Sequence, residues 1–202
     1  MRDVFRGYAA EPLSLDDYLA DFEQRLWAID RFDFWKLERQ QHFREPGDAS
    51  WEAFIRGDWE EALRLIRDRK ALFRQRLDQA AERGFRYYRV RIVAEPLTPY
   101  LHWEMCLLRA RSECGESIRV VDVAQIEPLE TDGVIPEMAT LGAGVAYRIR
   151  YESDALAGAD RYTDAAVVQR CREFVERLHG KGTDLIGYFD QHVADLAPPR
   201  PA

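Results

Sequence analysis

The stretch Gly84–Glu104, GFRYYRVRIVAEPLTPYLHWE, constrains the fold more than any other, because it sets a strand and a helix almost end to end. From Phe85 to Ala94 the residues alternate. Tyr88, Val90 and Ile92 share one face, Arg89 and Arg91 lie with Tyr87 on the other, Arg86 adds a third arginine at the strand's start, and this period of two is that of a strand. Gly84 is a left-handed helix-ending residue, and Pro96, which has no N–H to donate, stops the strand near Glu95. Thr98 is a good N-cap and Pro99 suits the first helical position, so a helix follows at once. On it Tyr100, Trp103 and Leu107 fall three and four apart, with Glu104 one turn after Tyr100.

The remaining elements alternate around this unit. Ser14 starts an amphipathic helix carrying Tyr18, Phe22, Leu26 and Ile29, and RFDFWKLER at 31–39 reads as a short strand before a Pro-Gly loop. Ser50 caps a helical turn, and Asp58 caps a long helix reaching Arg83. Further strands are expected at 117–123, 145–152 and 160–162. The stretch 123–136 reads as a loop with a tight turn at Asp132–Gly133. Asp164 caps a helix with an apolar stripe from Val167 to Leu178, and Thr183 or Asp184 begins the last one. The expected fold is α/β, a mixed sheet with flanking helices. Residues 1–45 form a helix and short strand packed on the main domain or on a second copy, 46–197 form that domain, and 198–202 form a disordered tail.

The chain has 202 residues, 47% of them hydrophobic, enough for a folded domain with a substantial core. A net charge of −7 argues against sequence-independent nucleic-acid binding, which needs a basic footprint, and the alternating arginines are expected to form a solvated face. The 3 cysteines, Cys106, Cys114 and Cys171, lack the spacing of a disulfide framework or zinc site. No stretch is long and apolar enough to cross a membrane and Met1–Ala10 is not a leader, so a cytoplasmic protein is expected. No cofactor or metal is indicated. Gly142-Ala-Gly precedes a strand and so is a turn rather than a phosphate loop, and no Ser–His–Asp or Cys–His arrangement is present. His102 and Glu104 stand two apart on a helix and cannot form a local metal pair, and His102 is expected to be exposed.

Residues 84–104, ECGESIRVVD at 113–122 and DAAVVQRCREFVERL at 164–178 resemble an actinobacterial domain-of-unknown-function family with the segment G-V-x-V-R-R-V-R-V-V-x-E-P-L-S-x-Y-x-R-W-E. Gly84, Arg89, Arg91, Glu95, Pro96, Leu97, Tyr100, Trp103 and Glu104 carry the match, while Thr98 and His102 depart from it. The resemblance implies a fold similar to half of a phospholipase-D-like α/β domain. It also implies a regulatory or accessory role near development or secondary metabolism. His179-Gly-Lys181-Gly-Thr-Asp184 is only superficially like that enzyme's signature, and a second copy is missing.

Two readings of the central stretch follow. Glu104 forms a structural salt bridge with Arg89 or Arg91, or Arg89, Arg91, Glu95, Tyr100, Trp103 and Glu104 line a ligand pocket at the end of the sheet. The first functional expectation is a non-catalytic regulatory or accessory protein engaging a protein partner or small-molecule effector. The alternative is a small enzyme using Glu104 or Glu95 as an acid/base group, and a weaker one is a nucleic-acid-associated factor using the arginine strand. Trp51 and Trp59 are core anchors or part of an exposed interface.

Overall fold

Capping chemistry sets most helix starts in the computed structural model, which describes residues 4–131 and 133–200. After β1 (Glu11–Ser14), the Ser14 side chain caps α1 (Leu15–Leu26) and accepts from Asp17 N. Then come β2 (Phe34–Glu38) and α2 (Ala49–Ile55), which Asp48 caps rather than Ser50. Asp58 begins α3 (Trp59–Asp68), and α4 (Lys70–Glu82) follows. The single helix expected over 58–83 is thus two. Its ladder shortens at Arg69, whose N–H bonds Ile66 O, while its guanidinium turns back to Asp48 at 2.5 Å.

β3 (Tyr87–Val93) leads into α5 (Pro99–Ser112), where Thr98 Oγ1 accepts from Leu101 N. β4 (Ser117–Asp122) is followed by a short helix, α6 (Val123–Ile126), and a 3-10 turn at Glu127–Leu129, where a loop was expected. Asp132 lies outside the described residues, and so do residues 201–202 of the expected tail. β5 (Met138–Leu141), β6 (Val145–Glu152) and β7 (Ala155–Tyr162) form a meander. Ser153 and Asp154 both have positive φ, as a two-residue turn requires, so β7 begins earlier than its sequence suggests. Gly158 explains the small residues there: a Cβ would stand 2.4 Å from Leu13 O of the neighbouring strand. α7 (Ala165–Lys181), β8 (Thr183–Asp184) and α8 (Leu185–His192) complete the fold.

The sheet is mixed and 8-stranded, in the order β1-β7-β6-β5-β2-β3-β4-β8. β3 runs parallel to both β2 and β4, and the other pairings are antiparallel. Residues 4–45 supply β1, α1 and β2, and β2 is bonded on both sides by β5 and β3.

One sheet face packs an apolar centre against α7. Leu37, Val90, Ile92, Val121 and Met138 meet Val168, Phe174, Val175 and Leu178 of α7. The opposite face holds two apolar clusters. One is built with α1 around Tyr18, Phe34, Tyr87 and Tyr147, the other with α2, α3, α5 and α8 around Phe54, Trp103, Leu108 and Phe189. Trp51 and Trp59 are half-buried against this second cluster. Among the described residues no helix is long and apolar enough to cross a membrane.

Candidate functional site

Alternation along β2 and β3 places Lys36, Glu38, Arg89 and Arg91 on the face with two apolar clusters, and the parallel register sets Lys36 opposite Arg89 and Glu38 opposite Arg91. The expectation of a solvated arginine face is therefore corrected. Arg86 is exposed, but Arg89 is buried and Arg91 is 0% exposed. Carboxylates from distant segments compensate them. Arg89 bonds Glu38 at 2.6 Å and Glu116 at 2.8 Å, Arg111 reaches Glu116 at 2.6 Å, and Lys36 reaches Glu38 at 2.6 Å. Arg91 Nε meets Glu104 at 2.7 Å. Arginines enclosed in this way cannot neutralise phosphates on a surface.

Proton affinities follow the local balance of charge. Burial raises the Glu38 carboxyl, but Arg89, Lys36 and Arg91 outweigh it and hold it well below the usual range. Burial likewise raises Glu116, and Arg111 and Arg89 reverse the effect. Glu104 has a single close cation, so burial prevails and its carboxyl is raised.

The other candidates of the central stretch are also accounted for. Tyr100 Oη donates to Glu45 Oε1 at 3.0 Å, and Trp103 Nε1 donates to Ser50 Oγ at 3.1 Å. Both rings and Glu104 are buried, so with Arg91 they form a sealed interior and do not line an open pocket. The salt bridge between Glu104 and Arg91 is the one of the two readings that the geometry realises. Glu95 stands apart on the surface, where its Oε1 accepts from Tyr188 Oη at 3.1 Å and meets His192 at 3.0 Å. His102, expected to be exposed, is buried against the Trp59 ring at 5.1 Å, and that burial lowers its pKa. His179 packs edge-on to Trp35 and Tyr88 and lies 3.1 Å from Ser117 Oγ, while Asp184 caps α8, so this motif is structural.

A cleft of about 490 Å³ opens beside this network, at the carboxyl end of β2. Arg39–Gln41, the segment 134–137 and β6 residues Arg148, Ile149 and Tyr151 enclose it. Glu137 is only 6% exposed, and its Oε1 accepts from Arg39 N at 2.6 Å and Gln40 N at 2.5 Å. Burial pushes this carboxyl up to about 7 despite the opposing pull of Arg91. Phe43 lies between the cleft wall and the network, with its ring 4.8 Å from Tyr151 and 5.7 Å from the Arg91 guanidinium. Sequence reasoning missed Lys36, Glu38, Glu45, Glu116 and Glu137. The available signal was the acid in FWKLE, which joins the arginine face once β2 pairs with β3.

No curated protein matches the chain. The solved structure of TrmBL2, described as an archaeal chromatin protein with a novel mode of DNA binding, matches at 10% identity with a TM-score of 0.42. The match covers 89% of this chain and 55% of that one, so the chain spans about half the length of that neighbour. Residues 20–190 match the profile of an uncharacterised family, and the chain belongs to that family, the domain of unknown function DUF6879.

Proposed function

We propose that the protein is a non-catalytic regulatory or accessory binding protein whose small-molecule effector enters the cleft at the carboxyl end of β2. The observation that carries this reading is the cleft itself, about 490 Å³ and walled by the buried carboxyl of Glu137, a size suited to a small organic ligand. Its place supports the same view, because open α/β sheets bind ligands outside the carboxyl ends of their parallel strands, and β2 and β3 are parallel. The cellular setting is the one the motif resemblance implies, tied to actinobacterial development or secondary metabolism. Native mass spectrometry of the protein purified from its own host tests the proposal. A retained small molecule is expected, and it should be lost in Val134→Trp, which adds bulk at a rim residue that is 70% exposed. A second polypeptide or a second copy retained with no small ligand overturns it.

One observation favours an enzymatic reading as the alternative. A buried carboxyl near 7 in a cleft wall is suited to general acid/base work, which favours Glu137 over Glu104 or Glu95 for that role in this reading. Conversion of the retained molecule by wild type but not by Glu137→Gln replaces the binding reading with this one.

A further inference from the structure

The outer face of α4 carries a charge order that its own helix does not explain. Lys70, Arg74, Asp78 and Glu82 follow one another four residues apart along a groove lined wholly by α4, two bases and then two acids. A helix is stabilised by acids in its first turn and bases in its last, and α4 has neither, so these charges oppose the helix dipole. Like charges also stand next to each other in the row, Lys70 by Arg74 and Asp78 by Glu82, which costs stability in an isolated helix. Arg74, Asp78 and Glu82 are exposed and make no ion pair among the described residues, not even across the step from Arg74 to Asp78, while Lys70 also meets Glu113. The inward face of α4 is made by other residues, Phe73 and Ala80.

Such a row is its own complement when turned end to end. We propose that α4 is a contact between two copies of this chain, paired antiparallel about a two-fold axis near Arg76. Lys70 then lies opposite Glu82 of the second copy and Arg74 opposite its Asp78, and symmetry repeats both pairs, so all four charges of each helix are matched. Rows of this spacing interdigitate at a crossing angle of about 50°. Ala71, exposed beside the row, leaves room for the approach. The contact is small, because a helix of 13 residues is only about 20 Å long, and exposed ion pairs are individually weak. The dimer therefore dissociates on the order of 100 μM. This face shares no residue with the cleft, so the pairing stands or falls apart from the effector reading.

Sedimentation equilibrium of the wild-type chain, at concentrations up to about 500 μM in low and in high salt, tests the pairing. Two copies of net charge −7 repel each other as wholes, so salt strengthens any association except one held by matched local charge. The expected result is a dimer that added salt weakens. Arg74→Glu and Asp78→Arg sharpen the test, because both positions are exposed and each change sets two like-charged pairs across the axis. Each variant alone should dimerise about tenfold or more weakly than wild type. Mixed in equal amounts, the Arg74→Glu chain and the Asp78→Arg chain again present opposite charges at all four contacts, and a heterodimer of wild-type strength is expected. Circular dichroism checks that both variants fold. A wild-type chain that stays monomeric at the highest concentration overturns the proposal, as does a dimer that both folded variants leave unchanged. Folded variants that fail to pair when mixed also overturn it. Should either variant not fold, the wild type decides alone, and a dimer strengthened by salt overturns the proposal.

Discussion

The two faces of the sheet solve the same burial problem by different means. On the α7 face, Leu37, Val90 and Ile92 meet an apolar helix stripe, and burial needs no partner of particular chemistry. On the other face Arg89 and Arg91 are enclosed just as fully, and each requires a carboxylate placed within hydrogen-bonding reach. The first arrangement tolerates volume-conserving change, whereas the second penalises removal of any single member. Buried ion pairs contribute little to net stability, because the cost of desolvating both charges offsets most of their attraction.

The strongest test of that contrast is Arg91→Met, which leaves Glu104 buried without its close cation. A loss of about 3–5 kcal/mol is expected in denaturant unfolding, and Arg91→Met combined with Glu104→Leu should recover most of it. If the double variant is no more stable than the single, the polar face is not governed by paired charge.

A second test uses pH. Glu137 has a folded pKa of about 7 against an ordinary value of 4.5, so the folded state holds its proton more tightly than the unfolded state does. Stability contributed by this group is therefore present below pH 4.5 and is lost as pH rises to about 7, a change of about 3 kcal/mol. The wild-type stability relative to Glu137→Gln should fall by that amount between pH 4 and pH 8 in parallel unfolding curves. A difference independent of pH would show that Glu137 ionises normally.

Val175→Ala probes the apolar face, where Val175 is 0% exposed. A loss of about 2 kcal/mol is expected, and the same at pH 5 and pH 8. A marked pH dependence there would erase the distinction between the faces. The smallest effect is expected for Thr98→Ala, about 1 kcal/mol by thermal unfolding, because Thr98 caps the helix that carries Glu104 and also donates to Gln41 O at 2.8 Å.

Local chemistry made much of the chain readable. Ser14, Thr98 with Pro99, Asp164 and Asp184 mark helix starts through bonds made within a few residues, and alternation marks the strands. These features survive folding because their partners lie nearby in sequence. A pairing of Glu104 with Arg89 or Arg91 was also within reach, since all three belong to one strand–turn–helix unit, and the structure selects Arg91. By contrast, the arginine strand was read as solvated, because an arginine next to polar neighbours carries no local mark of the acid that will bury it.

What the sequence determined by itself, then, is the order and type of most elements and the apolar stripe of α7, and it narrowed the partner of Glu104 to Arg89 or Arg91 if that carboxylate is paired at all. Only the tertiary structure decided that β2 lies between β5 and β3, which brings Glu38 to Arg89 across 51 positions and encloses the network. It also decided that Tyr100 and Trp103 are sealed while Glu137 walls a cleft. The physical reason is range. Caps and periodicity act over a few residues, whereas the burial of a charge depends on which distant strand becomes its neighbour.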